Sequence, residues 1–296
     1  MENNEYLKSV LDREKITDDS PEVGELQGHR EKIEKIIRDK FGASPKIIYG
    51  GSKAKHTMIR ESYDLDIICL FKFDDNSAGK TLKEIRENVK TLLADSYFVD
   101  ESKKLSLRLK DKENQTDYHI DFIVGKFEDE KEKYANMYWN GPEKEYIRTS
   151  PDVQISFIRD SKLNDFIRLV KLWKIKYGLN VKTFIIELLV IKLLDGAENK
   201  DDFETNLTEF WGNVKDNVKN TAVEDPANPS GNDLSDSFND SVKDSLSFAS
   251  ENTLELIKNH GWESVFGLTK SLGEVEKIAI LSQSAQKSPT KIKPYA

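Results

Sequence analysis

The stretch Ile47-Ile48-Tyr49-Gly50-Gly51-Ser52-Lys53-Ala54-Lys55-His56-Thr57-Met58-Ile59-Arg60-Glu61-Ser62-Tyr63-Asp64-Leu65-Asp66-Ile67-Ile68-Cys69-Leu70-Phe71 decides how the chain is read. It divides into an apolar strand, a glycine-serine turn, a short polar helix or loop, and a second apolar strand. The second strand opens with two carboxylates one residue apart. Side chains alternate across a strand, so Asp64 and Asp66 share one face while Leu65 and Ile67 take the other. Two carboxylates on one face, downstream of a turn rich in backbone donors, suit divalent metal and phosphate.

Composition sets the frame around that stretch. The 296 residues allow two subdomains or one large domain, and 37% hydrophobic residues can supply a core. With 45 basic against 53 acidic residues the net charge is −8, which weighs against a broad grip on long nucleic acid but leaves room for a local basic channel. The single cysteine, Cys69, excludes an intramolecular disulfide and any multi-cysteine zinc site, and it sits in the apolar strand as an inert core residue. Residues 1–15 lack the apolar core of a signal peptide, and the longest strongly apolar run, 184–194, is far short of the ~20 residues that span a bilayer. A soluble, cytoplasmic protein without a membrane partner is expected.

Along the chain, residues 1–21 are polar and are expected to be a loosely held lead-in. Ile33, Ile37 and Phe41 follow the helical step, which predicts a helix over 22–41 that stops at Gly42. Strands are predicted at 46–50 and 64–71, and a helix at 81–97. Leu105, Leu107 and Leu109 alternate along a third strand; a polar hairpin loop then leads to a fourth, 118–124, carrying Asp121 between Ile120 and Phe122. Residues 134–151 have a loop-like composition. Beyond them the pattern is helical. Phe166, Leu169, Val170, Trp173 and Tyr177 mark one helix that ends at Gly178. A second, starting at Thr183, is apolar nearly all round and reads as a buried centre. Within it Glu187 requires a buried partner. Further helices are predicted at 201–219, 235–259 and 274–286, with an irregular Pro/Asn/Gly loop at 224–233 and an extended tail at 287–296.

Joining a nucleotide to a hydroxyl calls for hard oxygen ligands. Two divalent ions about 3.5–4 Å apart can clamp the attacking and leaving oxygens, and magnesium takes only a few carboxylates from a protein. Asp64, Asp66 and Asp121 meet that demand as both catalytic and metal-ligating residues for two Mg²⁺ ions, with Mn²⁺ as a substitute. Gly50 and Gly51 let the backbone approach phosphates closely, and Ser52 can donate its hydroxyl.

The Gly51-Ser52 turn, the Asp64-Leu65-Asp66 pair and the Asp121 strand resemble the polymerase-β-type nucleotidyltransferase core. The segments 168–174 and 182–190, and the loop Asp225-Pro226-Ala227-Asn228-Pro229-Ser230-Gly231-Asn232-Asp233, resemble the helical half of oligoadenylate synthetases and of cGAS/DncV-like nucleotidyltransferases (CD-NTases). The resemblance spans roughly residues 30–240. It implies an α/β (α+β) bilobal fold: a mixed-sheet nucleotidyltransferase core over 22–150 and a C-terminal helical lobe over 151–296. It also implies that Lys171 reaches the triphosphate as a point charge, that Thr183 donates to phosphate or sugar, and that Phe184 stacks on the donor base. On their own residues, Thr183 can equally be a helix N-cap and Phe184 plain core.

One departure stands out, since His56 precedes Thr57 where the resembled motif carries glycine. Either the turn differs here or His56 is an extra phosphate donor. His119 shares the face of Asp121 and reads as a hydrogen-bonded neighbour. The resemblance implies a cyclic oligonucleotide second messenger, made from ATP and from GTP, UTP or CTP with loss of pyrophosphate in bacterial anti-phage signalling. It leaves room for a regulatory protein partner. A transferase acting on RNA ends and a catalytically silent nucleotide-binding scaffold are the competing readings.

Overall fold

In the computed structural model, residues 2–113, 119–197 and 199–267 are described. The helix expected at 274–286 and the tail after it lie outside them, as does most of the hairpin loop before Asp121. Ten helices and seven strands are present among the described residues: α1 Asn3–Glu14, α2 Pro21–Phe41, β1 Lys46–Tyr49, α3 Gly51–Ala54, β2 Leu65–Phe71, α4 Leu82–Leu93, β3 Tyr97–Asp100, β4 Ser106–Asp111, β5 Ile120–Phe127, β6 Ala135–Gly141, β7 Lys144–Thr149, α5 Pro151–Arg159, α6 Asn164–Lys176, α7 Thr183–Leu194, α8 Phe203–Asn217, α9 Asp240–His260 and α10 Glu263–Phe266.

The seven strands form one mixed sheet in the order β1-β2-β5-β4-β3, with β6 also on β5 and β7 beyond it. The β2–β5 pair is parallel; the others are antiparallel. The edge of β5 away from β2 is shared, its first half pairing with β4 and its end with β6. Alternation along β2 sorts its residues cleanly. Leu65, Ile67, Cys69 and Phe71 enter the large core under α2 and α4, and Ile68 and Leu70 enter a small one with Phe127, Ala135 and Met137. Asp66 shares the second face, at its open end.

The helical lobe has its own core. Trp173 and Trp211 pack with ring centroids 5.9 Å apart, and the Trp173 indole N–H donates to Thr253 Oγ1 at 2.8 Å, the partner a buried indole needs. Helix α7, apolar on nearly every face, runs through this lobe with Ile185, Ile186, Leu189 and Val190 buried.

Three expectations from the sequence are corrected. Residues 1–21 are not a loose lead-in, because α1 buries Tyr6, Leu7, Val10 and Leu11 in the helical-lobe core. The chain therefore begins in the helical lobe before α2 enters the sheet lobe. Residues 134–151 are not loop: they form the β6–β7 hairpin and the start of α5. The helix expected over 81–97 stops at Leu93, and Tyr97 opens the edge strand β3.

The lobes meet where β7 ends and α5 begins, and the loop 225–233 latches that junction. Asn228 and Asn232 each donate a side-chain amide to the Arg148 carbonyl at 3.1 Å. Buried Asp225 accepts from Gln154 at 2.9 Å and from Asn232 at 2.7 Å.

Candidate active site

Strand register builds the centre of the site. Asp66 on β2 lies directly opposite Asp121 on β5, and Asp121 lies opposite Arg108 on β4, so all three side chains rise from one face. Asp64 immediately precedes β2, with its side chain 42% exposed, and its Oδ1 accepts the His119 backbone N–H at 3.2 Å. The three aspartates expected to act together are thus neighbours. His119 belongs to the floor as a hydrogen-bonded neighbour, with its Nδ1 3.8 Å from Asp64.

Helix α3 crosses directly over Asp66. Gly50 N–H donates to the Asp66 carbonyl at 2.9 Å, and Gly51 adopts a φ of 49°. A side chain at Gly51 would run into the Asp66 carboxylate, so this glycine is required by close approach as well as by its backbone. Burial, together with the nearby Asp121 and Asp64 charges, pushes the Asp66 carboxyl up to about 7. Lys55 and Lys103 pull the other way but do not offset burial and the two neighbouring acids at Asp66. Asp121, only 6% exposed, is held by Lys103 Nζ at 2.5 Å and more distantly by Arg108 Nε at 3.4 Å.

The carboxylates are hard oxygen donors with a charge deficit that divalent cations would relieve, so their chemistry fits such ions. Among the described residues they do not converge as a finished ligand cluster, because Asp121 is turned to its two basic neighbours.

Behind the turn, the helical lobe grips the loop that follows α3. Asn164 donates to the Lys55 carbonyl at 2.9 Å, Arg168 to the Met58 carbonyl at 3.2 Å, and Lys171 Nζ to the Thr57 carbonyl at 2.7 Å. Glu187, 1% exposed, accepts from Lys55 Nζ at 2.7 Å and from the Thr57 hydroxyl at 3.2 Å. These are the buried partners that Glu187 required. Lys171 points at the back of the loop rather than into the cleft. Its burial draws its pKa down to about 8 despite the nearby Glu187.

Thr183 is the first residue of α7, not its N-cap, and its hydroxyl lies 3.4 Å from Lys174 Nζ. Phe184 is half-buried against the helical core with Lys55 Nζ 4.9 Å from its ring centre. His56 takes a φ of 57°, so the backbone adopts the conformation the missing glycine would have favoured. Lys55, Lys103 and Arg108 were not singled out in the sequence. An alternating strand with basic residues on its polar face was the only trace of Arg108, and Lys103 carried no signal.

This mixed sheet with its helical lobe is the fold of bacterial cyclic-dinucleotide synthases of the cGAS/DncV-like kind. Among solved structures, CdnC of E. coli MS115-1 in complex with HORMA-deltaN superposes with a TM-score of 0.71 at 16% identity, covering 92% of this chain and 99% of that one. CdnC of the same strain with ATP gives 0.68 at 18% identity, over 91% and 99%. The Vibrio cholerae DncV cyclic AMP-GMP synthase gives 0.60 at 15% identity, over 91% and 86%. No family model matches the chain, and no curated protein matches it. No helix among the described residues is long and apolar enough to cross a membrane.

Proposed function

We propose that the chain is a metal-dependent nucleotidyltransferase that joins nucleoside triphosphates into a cyclic oligonucleotide second messenger, releasing pyrophosphate, in bacterial anti-phage signalling. The observation that carries this reading is the Asp66–Asp121 register beneath the Gly51-Ser52 turn. It sets a carboxylate pair and a set of backbone donors at one spot, as attack on an α-phosphate requires. The nearly full-length likeness to CdnC, solved with ATP and with a HORMA protein, supports ATP as a substrate and a regulatory protein as a partner.

Asp64, Asp66 and Asp121 would hold divalent cations, Mg²⁺ or Mn²⁺, which supply charge neutralisation of the triphosphate and acidify the acceptor hydroxyl. Gly51 and Ser52 present donors to the β- and γ-phosphates. Thr183 adds a hydroxyl from the start of α7, and Phe184 offers a ring face to the donor base. Lys171 contributes its charge from behind the loop, through Thr57, while Lys55 sits between Phe184 and the turn. In the reaction an acceptor ribose oxygen bonds to the α-phosphorus, the bond to pyrophosphate breaks, and the hydroxyl proton passes to a carboxylate of the cluster. A second transfer closes the ring.

The test is incubation of the full chain with all four nucleoside triphosphates and Mg²⁺ or Mn²⁺, followed by phosphatase and mass spectrometry. Small phosphatase-resistant products are expected, and Asp64→Ala/Asp66→Ala should abolish them. Extension of an added RNA end, with no small product, would instead favour the RNA-end reading. No product under any mixture, with or without a HORMA protein, would favour the silent scaffold.

A further inference from the structure

A cleft of about 600 Å³ has none of Asp64, Asp66, Asp121, Gly51, Ser52, Lys171, Thr183 or Phe184 in its lining. It shares with the candidate active site the back of the phosphate turn, at Lys53 and His56, and the residues Asn164 and Arg168 that grip the loop behind it. It lies where the segment after α1, the loop after α3, the α5–α6 connection and the α7–α8 connection meet. Its walls include the buried apolar side chains Ile16, Val23, Met58, Phe166 and Phe203, the two phenylalanine rings 4.9 Å apart. Its charged lining runs against the character of the chain. Lys15, Lys53, Lys162, Arg168 and Lys200 face only Asp18, Asp165 and Asp201, in a protein of net charge −8.

The acids are largely spent. Asp18 pairs with Lys53, and Asp165 pairs with Arg168 at 2.5 Å and with Lys15 at 3.6 Å. Among the described residues Lys162, Lys200 and His56 make no ion pair, although Lys200 donates to the Ser161 carbonyl at 3.3 Å. Two of these three also hold a costly backbone. His56 and Lys162 have φ values of 57° and 61°, a region a side chain enters only against steric resistance. Such strain persists where surrounding structure enforces it, and it gathers at ligand-binding positions.

We propose that this cleft binds a small ligand with a flat apolar body and at least two negative charges, carried as carboxylate or phosphate. The apolar walls take the body, and Lys162, Lys200 and His56 take the charged groups. Lys53 and His56 follow Ser52 in the chain, and Arg168 holds the Met58 carbonyl. An occupant therefore touches both lobes close behind the phosphate turn. Binding here is independent of the reaction proposed for the aspartate cluster.

Calorimetric titration of the full chain, without nucleotide or metal, tests it with 1-naphthyl phosphate in one arm and naphthalene-2,6-dicarboxylate in the other. Saturable one-to-one binding of at least one anion is expected, at least tenfold tighter than inorganic phosphate or 1-naphthol; the arm that binds identifies the charged group. Lys162→Glu and Lys200→Glu, both at solvent-accessible positions, should each weaken binding at least tenfold. His56→Gly should weaken binding while raising Tm, and Asp66→Asn should leave binding unchanged. Absence of saturable binding in both arms overturns the proposal. So does binding indifferent to both charge reversals, or binding lost with Asp66→Asn, which would place the probe among the aspartates.

Discussion

At the scale of single residues, Asp66 and Lys171 carry opposite liabilities. The Asp66 carboxyl is raised from 3.8 to about 7, so its ionisation is opposed by the fold. Below pH 3.8 both folded and unfolded chains hold the proton and the cost vanishes. As pH rises towards about 7 the cost grows, and above 7 it is complete. Asp66→Asn should therefore stabilise the metal-free protein at pH 8 by about 2 kcal/mol, taking roughly half of the full pKa conversion because water still reaches this carboxylate. The gain should disappear near pH 4 and shrink when Mg²⁺ is added, read by urea unfolding at each condition. Lys171 behaves in the reverse sense. Its pKa is lowered from 10.5 to about 8, so the folded protein resists its charge below 8 and is relieved between 8 and 10.5. Relative to Lys171→Met, the native protein should gain stability across that interval. A flat difference from pH 7.5 to 10 would show that this ammonium is not desolvated.

At the scale of elements, what the residues reveal depends on how many faces an element buries. Helix α7 was legible because apolar side chains surround it, and β2 because its apolar run begins with two acids. The β6–β7 hairpin was not, since it buries little beyond Ala135, Met137 and Thr149, and its Tyr138, Trp139, Tyr146 and Ile147 are scattered among Asn, Gly, Pro and charged residues without a clean alternation. Helix α1 hid for a related reason: its buried stripe is four residues wide among charges. Leu7 in that stripe is completely buried. Leu7→Ala should cost about 3 kcal/mol, the range for a buried leucine whose cavity cannot collapse. A loosely held segment would instead show no change in the denaturant midpoint, so the experiment separates the two descriptions of the N-terminus. In the site, alternation along β2 and β5 exposed the three aspartates. The pairing of Asp66 with Asp121, and the arrival of Lys103 and Arg108, depend on register and loop path, which no local pattern encodes.

At the scale of the whole molecule, the loop after α3 belongs to both lobes. It leaves the phosphate turn, and Ile59 is buried in the helical-lobe core while Arg60 N–H bonds the Glu14 carbonyl at the end of α1 at 2.8 Å. Any rotation of the lobes must then either carry the turn along or break the bonds from Asn164, Arg168, Lys171 and Glu187. Glu187 is the carboxylate bonded within this joint, set against Lys55 and, more distantly, Lys171. Glu187→Gln keeps the shape and an acceptor for Thr57 but leaves the buried Lys171 ammonium and the partly buried Lys55 ammonium without this anion. Removing one partner of a buried pair costs about 3–5 kcal/mol, and about 3 is expected here because Lys55 retains some access to water. That loss falls on the joint and not on either core. Thermal unfolding of the native chain should therefore be one transition, and Glu187→Gln should split it into two, resolved by calorimetry. Lys55→Met in the same background removes one stranded cation and should restore about half of the loss. A single transition at an unchanged midpoint in Glu187→Gln would mean that the lobes are coupled elsewhere.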